Sequence, residues 1–118
     1  MRVKDAVGRF GEDTAAAYLS EAGLQVLQRN WRCRDGELDL IADEAGVLVV
    51  VEVKTRRTAE FGRPVEAVRP AKAARIRRLA MRWLAEDERF WPEVRFDIVG
   101  VLRSPSGQTS VEHLRGAF

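Results

Sequence analysis

Cysteine and histidine are nearly absent, with one of each, Cys33 and His113, in 118 residues. A single cysteine excludes an internal disulfide and any multi-cysteine zinc site, and it fits a reducing compartment, where a lone thiol is most often buried or idle. A single histidine with no serine or cysteine partner in a recognisable motif gives no nucleophile–imidazole pair; it reads as a surface or structural residue near the C-terminus. No apolar run approaches the ~20 residues needed to cross a bilayer. The opening MRVKDAVGRF lacks the uninterrupted apolar stretch of a signal peptide. The expectation is a cytoplasmic protein with no membrane partner. A glycine-rich phosphate loop is also missing, since Gly8 and Gly11 fall inside a helical pattern. Repeats, low-complexity tracts and linkers are lacking too, and an apolar content of 46% can fill one core without metals or crosslinks, so residues 1–118 read as a single domain.

What the chain does have is an uneven distribution of charge. The formal net charge is only +2, but between Lys54 and Arg82 ten Lys or Arg residues face two acids, Glu60 and Glu66, a local balance of +8 that leaves −6 for the rest. A concentrated basic segment on a near-neutral protein points to a polyanionic partner, the alternative being a solvated helix face.

The pattern of residues 5–22 predicts a helix carrying Gly11, Ala15, Tyr18, Leu19 and Ala22 on one face, with Asp5 as N-cap and Gly23 past its end. Residues 24–33 are extended, and Asp35-Gly36 marks a tight turn. Two strands follow, ELDLIA at 37–42 and VLVVVEVK at 47–54, joined by DEAG. Residues 55–69 have no sustained period and form a loop or short irregular helix. Pro70 then opens a second helix in which Ala73, Ile76, Leu79, Ala80, Trp83 and Leu84 follow helical spacing, beside a strip of Lys72, Arg75, Arg78 and Arg82. VRFDIVGVL at 94–102 is a strong strand and TSVEHL at 109–114 a short peripheral one. The order α-β-β-β-α-β-β gives an α/β fold, a mixed sheet covered by helices with 47–54 as its central strand.

In the segment VVVEVKTRR, Glu52 and Lys54 interrupt what should be the driest strand of the protein. Residues two apart in a strand share a face, so Glu37, Asp39 and Ile41 point one way and Leu38, Leu40 and Ala42 the other. Likewise Glu52 and Lys54 share a face with Leu48 and Val50, while Val47, Val49, Val51 and Val53 form an all-apolar face. A two-residue loop at 45–46 pairs Asp39 with Glu52; a four-residue loop at 43–46 pairs Glu37 with Glu52 and leaves Asp39 diagonal to it. A three-residue loop would put the acids on opposite faces, and burial of the apolar faces excludes it. Asp39 and Glu52 are therefore expected as neighbours, with Lys54 within about 7 Å.

Buried neighbouring carboxylates repel each other and need positive charge among them. A divalent cation answers that need: hard oxygen ligands suit Mg²⁺ or Mn²⁺, held by Asp39, Glu52 and the backbone carbonyl of Val53. The competing reading is an ion-pair network in which Lys54, Arg56 and Arg34 neutralise the acids. Glu12, at the margin of the first helix's packed face, can reach toward the same sheet end or pair with Arg29 or Arg32. A metal on this pair beside a basic helix suits phosphodiester hydrolysis, with Lys54 positioning water or stabilising charge on phosphorus. Arg56, Arg57, Lys72, Arg75, Arg78 and Arg82 would hold flanking phosphates. Trp31, Phe61 and Trp91 are core residues or, alternatively, stacking platforms for unpaired bases.

Asp39 followed by Glu52-Val53-Lys54 on consecutive strands resembles the PD-(D/E)xK nuclease superfamily, the restriction-endonuclease-like fold that includes archaeal Holliday junction resolvases. The blocks GRFGEDTAAAYL (8–19), RNWRCRDGELDLIA (29–42), VVVEVKTR (49–56), FGRPVEAV (61–68) and RFDIVGV (95–101) resemble the YraN-like family of small bacterial proteins over nearly the whole chain. The resemblance implies a single nuclease-like domain with Asp39 and Glu52 as metal ligands and Lys54 as catalytic lysine. It also brings in Glu12, matching a helix-one glutamate of resolvase-like members, and Glu37 of the GE-x-D block, as accessory residues. One departure is visible, since Leu38 and not proline precedes Asp39. DNA is the implied partner, RNA the less favoured one, and resolvase relatives act as dimers, so a homodimer is a further expectation. The rival reading is a nucleic-acid-binding or scaffold protein that keeps the fold without turnover.

Overall fold

A computed structural model describes residues 3–56 and 68–118, side chains of 3–5 excepted. The elements run α1 (Val3–Glu21), β1 (Gln25–Cys33), β2 (Gly36–Glu44), β3 (Val47–Arg56), α2 (Pro70–Glu86), β4 (Glu93–Arg103) and β5 (Thr109–Leu114). The five strands form one sheet in chain order, β1-β2-β3-β4-β5. Only β3 and β4 pair in parallel, and the connection between them carries α2. This is the expected mixed α/β sheet flanked by helices. Helix α1 begins at Val3, so Asp5 lies inside it and is not its N-cap; no glycine or proline between 3 and 5 stops the helix there. The β1–β2 turn falls on Arg34 and Asp35, with Gly36 as the first residue of β2.

Each face of the sheet is covered by one helix. Ala15 and Leu19 of α1 pack on Leu40, Ala42, Val49, Val51, Val99 and Val101. On the other face Ile76, Leu79, Ala80 and Trp83 of α2 pack on Ile41, Leu48, Val50 and Trp31. Strand β3 supplies apolar residues to both layers, as its continuous valine run requires. Trp31 is thus a core residue; Phe61 lies outside the described residues.

The β2–β3 hairpin uses the two-residue loop. Glu44 pairs with Val47 and the register continues to Leu40 with Val51. Ala45 (φ 50°) and Gly46 (φ 91°) both take positive φ, the requirement of the tight hairpin turn whose twist matches its strands. The Gly46 amide donates to Asp43 Oδ1 at 2.8 Å.

Strict alternation fails in β2, besides a register shift between Val26 and Gln28 in β1. Leu38 belongs to the α2-side core with Trp31 and Ile41, whereas Leu40 and Ala42 belong to the α1 side. Leu38 and Leu40 therefore do not share a face, because β2 is irregular around Asp39, opposite Asn30, which sits at φ 53° in β1.

Candidate functional site

The irregularity opens the sheet. Strand β2 stays with β1 as far as the Gly36–Cys33 pair, and β3 stays with β4 as far as Arg56–Leu102, but the β2–β3 ladder ends at Leu40–Val51. The central strands thus fork, and the residues just past the fork are Asp39 and Glu52. A backbone amide that loses its ladder partner needs another acceptor. At the fork the Val53 amide donates to Asp39 Oδ2 at 2.9 Å.

The Asp39 and Glu52 side chains line the same cleft, so the expected neighbours share one site. Burial, hydrogen bonding with Glu52 and repulsion from its charge push Asp39 up to about 8; the Val53 amide opposes the shift and the charge of Glu12 adds to it. Such a shift marks two carboxylates that share a site and cannot both be comfortably ionised. Their cleft, of about 380 Å³, is lined on the sheet side by Gly36, Glu37, Asp39, Glu52 and Val53 and on the helix side by Lys72, Arg75 and Ile76.

The other sequence-predicted residues distribute as follows. Lys72 Nζ is in direct contact with Glu52 Oε2, so this lysine of the expected phosphate strip is an acid partner within the cleft. Lys54 lies two residues beyond Glu52 on β3, half-buried and paired in the ladder with Gly100; it is not one of the residues lining the cleft. Glu37 lines the cleft while accepting a 3.0 Å bond from Arg32 Nε. Glu12 is half-buried on α1, beside Gly11, where an added Cβ would run into the Thr55 side chain; glycine is what lets the helix come so close to β3. Arg29 pairs with Asp13, not Glu12. Arg75, Arg78 and Arg82 line an adjoining cleft of about 440 Å³, with Arg82 bonded to Asp35 at 3.0 Å. Arg56 lines a separate groove between α1 and the ends of β3 and β4. Arg57 lies outside the described residues. Among the described residues, no group of three or more His, Cys, Asp or Glu side chains is arranged to hold a metal ion. A divalent cation would therefore find two carboxylates here, with room for waters and substrate oxygens.

A second buried carboxylate was not singled out in the sequence. Asp97 of β4 is fully buried, and it accepts two bonds from Arg95 (2.8 and 3.0 Å), one from the Gly116 amide (2.9 Å) and one from His113 Nε2 (2.8 Å). The Tyr18 hydroxyl lies 3.1 Å from the other ring nitrogen of His113. His113, whose side chain is 4% exposed, is structural, as one of the expectations had it, but it is not on the surface. An acid inside the apolar run RFDIVGV was the available signal.

Fold and cleft together define a small mixed α/β domain that gathers two carboxylates at a fork of its central strands, beneath the basic start of a helix. The chain belongs to the uncharacterised protein family UPF0102, matched over residues 11–101, which establishes the YraN-like membership. It is 57% identical to a UPF0102 protein of Beutenbergia cavernae over 116 residues, 98% of either chain. It is 58% identical to the UPF0102 protein FRAAL5785 of Frankia alni over 118 residues, all of this chain and 98% of the relative. A UPF0102 protein of Nocardia farcinica is 51% identical over 115 residues, 98% of this chain and 91% of that one. Among the described residues no helix is long and apolar enough to cross a membrane.

Proposed function

We propose that this protein is a Mg²⁺- or Mn²⁺-dependent nuclease of the PD-(D/E)xK type that hydrolyses phosphodiester bonds in DNA, with branched or otherwise structured DNA as its preferred substrate. The carrying observation is that Asp39 and Glu52 line one cleft whose other wall is Lys72 and Arg75. Action in the cytoplasm and as a homodimer belongs to the same reading.

The donor chemistry fits the cation. Mg²⁺ takes one or two carboxylates, keeps several waters and binds phosphate oxygens, so a cage of three acids is not required. An acid pushed toward protonation by burial and by a neighbouring carboxylate, as Asp39 is, belongs to an arrangement that a dication relieves. Asp39 and Glu52 would hold it, with the Val53 carbonyl as a further ligand, and the ion would supply Lewis acidity to the phosphoryl group and activate water. The Val53 amide fixes the direction of Asp39. Lys54, on the Glu52 face of β3, orients the attacking water or meets the charge developing on phosphorus. Glu12 and Glu37 add negative potential at the two margins of the pair. Arg56, Arg57, Arg75, Arg78 and Arg82 contact flanking phosphates without reading sequence.

Asp39→Ala or Lys54→Ala should abolish cleavage of four-way, flap or duplex DNA in Mn²⁺ while leaving binding largely intact. Cleavage by the wild type that survives EDTA would sink the proposal. One observation favours the second reading, a non-catalytic nucleic-acid-binding or scaffold protein: Glu52 already has a cationic partner in Lys72. That reading expects salt-dependent binding and no cutting under any divalent metal.

A further inference from the structure

The ion pair between Lys72 and Glu52 has a placement that a simple surface salt bridge lacks. Lys72 stands in the first turn of α2, two residues after Pro70, in a helix whose first turn holds no acid and whose N-terminus has no side-chain cap. A cation at that end is opposed by the helix dipole, so Glu52 is what holds it there. The Glu52 side chain is 10% exposed and that of Lys72 45%, which sets the ammonium between the carboxylate and solvent, like a stopper. Glu52 shares its cleft with Asp39. An ion entering from solvent to bridge Asp39 and Glu52 must contend with this ammonium, since a dication and Lys72 repel one another at a shared carboxylate.

We propose that Lys72 is a tethered cation that keeps the dication seat on Glu52 in the resting protein, yields it when metal binds, and then turns to a substrate phosphate in the same cleft. The inference rests on the metal-dependent reading above. Lysine suits the role: its compact charge rides on a flexible four-carbon stem, and Arg75, which lines the same cleft, keeps a guanidinium close to where an incoming phosphate would lie. The consequence is reciprocal coupling. Phosphate that draws Lys72 away frees Glu52 for metal, and metal that displaces Lys72 adds a cation to the phosphate site.

The test is calorimetric titration of Mn²⁺ at fixed pH into the full chain and its variants, with a thermal melt of each to verify folding. Lys72→Met and Lys72→Gln should both bind Mn²⁺ about tenfold more tightly than wild type, Lys72→Arg should stay near wild type, and Arg75→Met should change affinity no more than about threefold. Asp39→Asn should bind far more weakly than any of them. Mn²⁺ binding that depends on Asp39 yet is unchanged or weakened in both neutral Lys72 variants overturns the role of Lys72 and leaves the nuclease reading standing. Equal tightening in Arg75→Met overturns it as well, because the effect would then be the general field of the cleft. Absence of Mn²⁺ binding in wild type and Lys72→Met alike sinks the metal reading and this inference together.

Discussion

Asp39 and Asp97 stand on strands that flank β3, the first half-buried and the second fully buried, and their environments drive them in opposite directions. Burial raises either carboxyl by disfavouring its charged form. At Asp97 the hydrogen bonds from His113, Arg95 and the Gly116 amide overcome burial and hold the group well below the usual carboxylate range. At Asp39 one backbone amide is set against two neighbouring acids, and the group goes up to about 8. One site is complete without a ligand; in the other Glu52 has Lys72 as a cationic partner while Asp39 is pushed up. Completed networks of this kind hold a fold together, whereas frustrated ones mark places where something binds.

The largest effect expected from this contrast is at Asp97. Asp97→Ala leaves the Arg95 guanidinium beside an empty buried site and should cost about 3–5 kcal/mol in urea unfolding. A cost below about 1 kcal/mol, the range of an exposed pair, would erase the distinction between the two regions.

Next in size is the dependence of stability on pH, which has opposite sign at the two acids. Asp39 binds its proton more tightly folded than unfolded, so its contribution falls as pH rises from about 3.8 to about 8. Asp39→Asn should flatten that decline and gain more than about 1 kcal/mol at pH 8, even as it removes a proposed metal ligand. Asp97 is depressed when folded, so the stability it provides is present above its unfolded value and is lost as pH falls through the lower folded one. The acid limb of unfolding should therefore flatten in Asp97→Asn. Chemical denaturation across pH 3–9 reads both limbs.

Smaller effects separate the surfaces. If Arg78 makes one of the proposed phosphate contacts, Arg78→Ala should lower the slope of log affinity against log salt for duplex DNA by about 0.9. Arg115→Ala breaks the paired bonds to Glu44 at 2.6 and 2.7 Å on the side of Asp97, should leave that slope unchanged and should cost less than about 1 kcal/mol. A shared change in slope would mean that the basic helix is not the binding face.

Several of these features are legible in the residues. The all-apolar faces of two strands limited the hairpin to even loops, and the two-residue alternative is the one observed, its register running to Leu40–Val51 and stopping just short of Asp39 and Glu52. The apolar stripe of α2 likewise predicts its buried residues, Ala73, Ile76, Leu79, Ala80 and Trp83, with its last member, Leu84, half-buried. What escaped has a common cause: it depends on irregular backbone or on long side chains crossing between elements. The fork arises where Asn30 takes a positive φ and β2 loses its alternation, which period-two reasoning assumes away. Lys72 reaches Glu52 across sequence, and nothing in the helix pattern says at what height α2 sits on the sheet. The Asp97 cluster draws on α1, β4, β5 and the C-terminal Gly116, a set that only the completed fold assembles.

The parallel pairing of β3 with β4 sets an order of assembly. Asp39 and Glu52 meet through a two-residue turn, among the fastest contacts a chain can make, whereas Lys72 arrives on the crossover from residue 57 to 92, whose closure is slower. During synthesis the chain emerges from its N-terminus, so the hairpin acids exist before α2 has been made, hydrated and apart from any lysine of that helix. Dehydration of the acids and delivery of their ammonium then occur in one docking event, and the nascent chain never holds the pair dry without it.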